Sequence, residues 1–249
     1  MRGNLISGAG YFFRGLSMLP QRGIRAFVII PLAANILLFG LLGKLALGYI
    51  LALVATTEAA LPDWLSFLTW ILVPILWLAG GLVTGYASTF LVLLLTSPFH
   101  SLLAEKVEEQ ITGRKVPALE GFTAALLQVP RGIAREVSKY LYYIPMALMV
   151  LVLSFIPGIN AFSPLLWFLL GAWMMSLQFL DYPMDNHRLP FREVRSASAA
   201  RRLSSVGFGG MVAFISGIPL INLIVVPAAV IGATLFWCEE LSKHSRRPD

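Results

Sequence analysis

The sequence predicts an all-α integral membrane protein, and three observations carry that reading. Of its 249 residues 57% are hydrophobic and only 13% charged, the charges are missing from four long stretches, and those stretches are continuously apolar. A soluble domain carries about 25% charged residues. The stretches are 26–57, which holds the single charge Lys44, and 64–99, 140–180 and 203–238, which hold none. About 20 apolar residues cross a hydrocarbon core of ~30 Å as a helix, and every stretch exceeds that. Barrel strands would alternate apolar and polar residues, so helices are left as the way to satisfy the backbone in lipid. A single membrane domain over 1–249 is expected. No secretory signal is read at its start, since Gly3, Gly8, Gly10, Gly15 and Arg14 interrupt the first twenty residues and the apolar run begins late.

The first two stretches predict two long transmembrane helices. Of the 19 Lys and Arg only Lys44 lies within a stretch, and the connection from Glu58 to Asp63 holds two acids and no base. By the positive-inside rule that connection is external and the remaining polar chain is cytoplasmic. Stretches three and four must then each leave and return on the cytoplasmic side. Each is interrupted by the same word: Ile156-Pro157-Gly158-Ile159-Asn160, and 62 residues later Ile218-Pro219-Leu220-Ile221-Asn222. Proline lacks the amide donor and disfavours a helical residue before it, so each word suits a hairpin tip. Leu141 to Ile156 would extend ~24 Å as a helix and Val206 to Ile218 ~20 Å, both short of the core. Two partly inserted helical hairpins are expected, with full crossings by tilted helices as the alternative.

Short cytoplasmic helices complete the fold. Ser97-Pro98 has the chemistry of a helix start, and Gly113 that of a stop. Leu119 to Lys139 carries Arg131, Arg135 and Lys139, read as anchors to lipid headgroups. Gly81 and Gly85 form a small-xxx-small word that suits close helix packing.

Enzymatic signatures are missing: the chain has no phosphate-binding G-x-x-x-x-G-K-[ST], no H-E-x-x-H and no G-x-S-x-G. His100, His187 and His244 are widely spaced, and Cys238 is the lone cysteine, read as a buried packing residue. No metal, cofactor or nucleic-acid partner is expected. Asp181-Tyr182-Pro183-Met184-Asp185-Asn186-His187-Arg188 reads as a hydrogen-bonded loop joining the two hairpins, or as an acid–base site of a lipid-modifying enzyme. Pro20-Gln21-Arg22-Gly23-Ile24-Arg25-Ala26-Phe27 stands just before the first long helix. A glycine that keeps the backbone open, a helix N-terminus and two arginines three apart are the parts of an oxyanion site. Bases flanking a first span are also routine topology signals. Asn35, Asn160 and Asn222 are candidate uncharged donors along a path, or simple turn and cap residues.

Several longer words stand in order along nearly the whole chain: Tyr11-Phe12-Phe13-Arg14-Gly15, Gly23-Ile24-Arg25-Ala26-Phe27-Val28, Ser97-Pro98-Phe99, Phe155-Ile156-Pro157-Gly158-Ile159, Asp181-Tyr182-Pro183-Met184-Asp185-Asn186-His187 and Ile218-Pro219-Leu220-Ile221-Asn222. With these the sequence resembles the CysZ family of bacterial inner-membrane sulfate transporters. The resemblance implies two long membrane helices plus two partly inserted hairpins, delivery of sulfate to cysteine biosynthesis, and a homo-oligomer in membrane lipid. It also implies a sulfate site at a Gly-Leu/Ile-Arg-Arg word, whose first three residues fall on Gly23, Ile24 and Arg25. The second Arg falls on Ala26, a departure that Arg22 would have to make good. A non-transporting membrane scaffold or regulator is the alternative reading.

Overall fold

The computed structural model describes residues 3–115, 129–218 and 221–242, and every element among them is a helix or a turn. Asn4 opens α1, Leu5–Met18, its side chain accepting the Ile6 amide at 2.9 Å. The apolar runs then give α2, Arg25–Ala60, and, after a 3₁₀ turn at Asp63–Leu68, α3, Thr69–Thr112. The chain continues through α4, Val129–Ser154, and α5, Ser163–Asn186, to α6, Phe191–Ala200. It closes with α7, Arg202–Ser216, and α8, Asn222–Phe236, which runs into a π-helical turn at Trp237–Leu241. Among the described residues five stretches are long and apolar enough to cross a membrane: Arg25–Ala60, Asp63–Ser88, Gly132–Ser154, Asn160–Asn186 and Ile224–Leu241.

Three sequence expectations change here. Ser97-Pro98 does not start a helix, since α3 runs through it unbroken for 44 residues. A proline costs an interior helix one amide bond and a local clash, and the turns on either side carry the helix past it. Second, α4 has 26 residues and α5 24, or about 39 and 36 Å. The α4 helix begins well before the apolar run, so both legs of that pair exceed the hydrocarbon thickness. The α7 helix, with 15 residues, or about 22 Å, is as short as expected, and α8 has 15 residues before its π-helical turn. Third, residues 181–186 belong to α5 and form no loop. Residues 119–128, the first part of the segment leading to Lys139, and Pro219-Leu220 of the second repeated word lie outside the described residues.

Between α4 and α5 the turn predicted from Pro157-Gly158 is present. Gly158 takes φ 88°, a left-handed value that only glycine adopts without strain. The Ile159 and Asn160 amides both bond the Ile156 carbonyl, at 3.1 and 3.0 Å.

The described chain divides into two compact units, residues 29–99 and the remainder. In the 29–99 unit the apolar side chains stay outside: Leu37 is 73% exposed, Trp70 85% and Tyr86 77%. Contiguous apolar surface on that scale belongs in hydrocarbon. The other unit has a core of its own, built on Phe12, Phe208, Phe236, Leu103, Leu177 and Met184, with Tyr11 stacked on Phe236 at 4.9 Å. There α1 packs on α7 and α8, and α5 on α7, α8 and α4. Small residues let these backbones meet: Gly8 faces the Ser204 carbonyl, Gly15 the Ala228 carbonyl, Gly232 the Tyr11 carbonyl and Gly209 the Ala172 carbonyl.

His100 lies at the edge of this core, edge-on to Tyr182 with ring centroids 5.3 Å apart, and its Nδ1 is buried without a hydrogen-bond partner among the described residues. Burial pushes the imidazole down to about 4 from its ordinary 6.5. The unfolded chain therefore binds the proton first as pH falls. Stability is expected to be full above about pH 6.5 and to drop by about 3 kcal/mol towards pH 4. Thermal unfolding in detergent across that window checks this, and His100→Phe should flatten the dependence.

Candidate functional site

The chain between α1 and α2 folds as tight turns. The Gln21 carbonyl accepts both the Ile24 amide at 3.1 Å and the Arg25 amide at 3.2 Å, and the Phe27 amide bonds the Ile24 carbonyl at 3.0 Å. Gly23 takes φ 94°, so the left-handed corner requires a glycine. Ile24 is fully buried and pins the turn to the core, while Arg22, Gly23, Arg25 and Ala26 face outward. The four residues singled out from the sequence thus form one unit: an apolar pin, a glycine corner and two exposed guanidinium groups at the start of a 36-residue helix.

Three of the amides expected to await a ligand are already spent within the turn. An anion here depends on the guanidinium groups more than on the helix terminus. The end of α3 adds to the site. Gln110 reaches the Arg22 carbonyl with Nε2 at 3.5 Å, and the same atom would lie 2.9 Å from a Cβ at position 23. Gln110 also lines a cavity of about 260 Å³ together with Lys106, Glu109, Gly113, Arg114 and Lys115. Lys106 is paired with Glu109 at 3.3 Å. Arg114 and Lys115 are basic residues of that same cavity lining. Sequence reading missed this part because Gln110 carries no charge and stands 88 residues from Arg22.

Asn35 is half-buried on α2 within the 29–99 unit, Asn160 is exposed in the turn before α5, and Asn222 opens α8.

A second polar assembly lies between α4 and α5. Arg135 and Lys139 were expected at lipid headgroups, yet they are 9% and 5% exposed and converge on Asp181, itself 4% exposed. Arg135 Nε donates to Asp181 Oδ1 at 2.7 Å, and Lys139 Nζ meets Oδ2 at 2.7 Å. Arg135 Nη1 reaches the Leu189 carbonyl at 2.7 Å and Asp185 at 2.9 Å. Buried charges persist only when paired and hydrogen-bonded, and both oxygens of Asp181 are occupied by cations. The separation of 46 residues between Arg135 and Asp181 hides the pairing from the sequence.

The chain matches the family model described as sulfate transporter CysZ/etoposide-induced protein 2.4 over residues 11–227. Proteins named sulfate transporter CysZ from Pseudomonas paraeruginosa and from two strains of Pseudomonas aeruginosa are each 40% identical to it over 235 residues, covering 94% of this chain and 96% of theirs.

Proposed function

The chain belongs to the sulfate transporter CysZ/etoposide-induced protein 2.4 family, and from that premise we propose that it is a multi-pass bacterial membrane protein that transports sulfate. The observation that carries the reading to particular residues is the Gly23 corner with the exposed Arg22 and Arg25 beside it. A guanidinium holds two oxygens of a tetrahedral dianion at once. Arg22, from the other side of the corner, supplies the second charge that Ala26 lacks. The basic groups around Gln110 raise the local anion concentration at the same mouth. In this reading the protein sits in the inner membrane as a single membrane domain, forms a homo-oligomer in lipid, and feeds sulfate to cysteine biosynthesis. Its two long helices cross the bilayer and the α4–α5 and α7–α8 pairs enter it as hairpins, with the Glu58 to Asp63 connection outside. Asn35, Asn160 and Asn222 are offered as donors along the path. The buried pairing of Asp181 with Arg135 and Lys139 supports transport over lipid chemistry at residues 181–188, because that carboxylate is not presented to a substrate.

Calorimetric titration of sulfate into the purified protein tests the site. Arg25→Ala should weaken binding roughly ten- to a hundredfold, the loss of one charge-assisted contact of about 1.5–3 kcal/mol. Arg22→Ala should weaken it as well, and Ala26→Arg should tighten it. A folded Arg25→Ala that binds like wild type would place the sulfate site elsewhere.

A further inference from the structure

The segment from the end of α5 into α7 concentrates positive charge: residues 188–202 hold five arginines and a single carboxylate, Glu193. In the middle of it stands α6, a ten-residue amphipathic helix. Its Phe191, Val194, Ala197 and Ser198 are buried against the core, while Arg192, Arg195 and Ser196 are exposed. Residues three apart on a helix are neighbours, so Arg192 and Arg195 share the outer face. Arg14, Arg135 and Arg201 are paired with carboxylates. Among the described residues Arg192 and Arg195 are in no ion pair.

Arg195 is also held in one pose. Its guanidinium carbon lies over the Tyr142 ring, 4.0 Å from the centroid, within cation–π range. Tyr142 is itself fixed: its hydroxyl accepts Trp173 Nε1 at 3.1 Å, and its ring stands edge-on to Phe191 at 6.1 Å. A guanidinium stacked by its face keeps its N–H donors in plane, around the edge. Among the described residues no acceptor takes those of Arg195.

The aromatic platform sets the depth of this face in the membrane. Tyr142 stands where α4 passes from the charged segment ending at Lys139 into its apolar run, with Tyr140 and Tyr143 at the same boundary. Trp173 belongs to α5, the other leg of the pair. Tyrosine and tryptophan gather at the level of lipid headgroups. From that level α4 exposes Leu141, Ile144 and Leu148, a surface suited to acyl chains.

We propose that Arg192 and Arg195, with Tyr142 as platform, form a binding face for the phosphate headgroup of an anionic phospholipid. Two guanidinium forks with uncommitted edges match phosphate oxygens. A net-negative headgroup is favoured over a zwitterionic one, whose own ammonium sits beside its phosphate. The headgroup contact that the sequence suggested for Arg135 and Lys139, both spent on Asp181, falls to α6 instead. The proposal rests on the membrane placement of the chain and not on the solute it carries.

The test uses the full chain in a neutral maltoside detergent, without sulfate. It is titrated with phosphatidylglycerol, with phosphatidylcholine of the same acyl chains, and with inorganic phosphate, while thermal unfolding is followed. A saturable rise in Tm is expected with phosphatidylglycerol alone. Arg192→Gln and Arg195→Gln should each raise the half-saturating phosphatidylglycerol about fivefold, the equivalent of about 1 kcal/mol per base. Should Arg195→Gln fail to fold, Arg192→Gln decides alone. Equal rises with the two lipids, or a phosphatidylglycerol response unchanged in the variants, overturns the face. If inorganic phosphate gives the rise and the variants lose it, the arginines hold free anions and the lipid assignment is overturned. Because sulfate is absent throughout, failure here leaves the transport reading standing on its own tests.

Discussion

Asp181→Ala is expected to lower the stability of the solubilised protein by about 3–5 kcal/mol, the cost of leaving a buried pair with one partner removed. The reason lies in the arithmetic of the assembly between α4 and α5. Asp181 neutralises two buried cations at once, Arg135 through Oδ1 and Lys139 through Oδ2. Glu136 at 2.7 Å still faces Lys139 and Asp185 at 2.9 Å still faces Arg135 after the change, but both of these acids are partly exposed. A native protein has only about 5–15 kcal/mol in total, and for a chain of this size the loss corresponds to a Tm lower by on the order of 10 °C. Replacing the whole group, with Arg135→Met and Lys139→Met added to Asp181→Leu, should restore much of the loss, because similar apolar residues carry no desolvation cost. Circular dichroism melts of the variants give the answer. An Asp181→Ala protein as stable as wild type would mean that water already shields these charges.

Gly209→Ala is expected to be the most damaging single-methyl change in the helical core, and Gly210→Ala the matched harmless one. A Cβ at position 209 would strike the Ala172 carbonyl oxygen and lie 2.6 Å from the Ser176 amide nitrogen. Neither backbone atom can move without lifting α7 from α5. Overpacking of this kind costs about 1–3 kcal/mol and occasionally more. One residue on, the Cβ would meet only the Ala172 Cβ at 3.6 Å and the Phe168 ring at 3.7 Å, ordinary van der Waals contact. There the helix propensity of alanine should give a gain of up to ~1 kcal/mol. Loss of monodisperse protein on size exclusion for Gly209→Ala, but not for Gly210→Ala, is the expected pattern. Equal behaviour of the two would show that α5 and α7 are not held at the close approach described.

Reading the sequence went furthest where the signal is local. Continuous apolar runs gave the membrane class, Pro157-Gly158 gave the turn before α5, and Gly23 with its flanking arginines gave the corner at the start of α2. Residue type and short spacing suffice for each. Helix limits were less legible. The helical turns on either side carry α3 through Pro98, and α4 begins in a polar segment that hydropathy assigns to a connection. What could not be read were pairings across the chain. Arg135 and Lys139 look like headgroup anchors until α5 brings Asp181 to them, and Gln110 means little until α3 is set beside the Gly23 corner. The close approach of Gly209 to Ala172 likewise depends on two helices meeting, which no single helix records. Cys238, read as a buried packing residue, packs half-buried against the core and also lines a cavity.

Uptake of radiolabelled sulfate into liposomes containing only this protein tests the central claim most directly. Saturable uptake well above that of empty liposomes, reduced strongly in an Arg22→Ala, Arg25→Ala double variant that still folds, is the predicted result; uptake no greater than in empty liposomes by a protein that binds sulfate in calorimetry would contradict it.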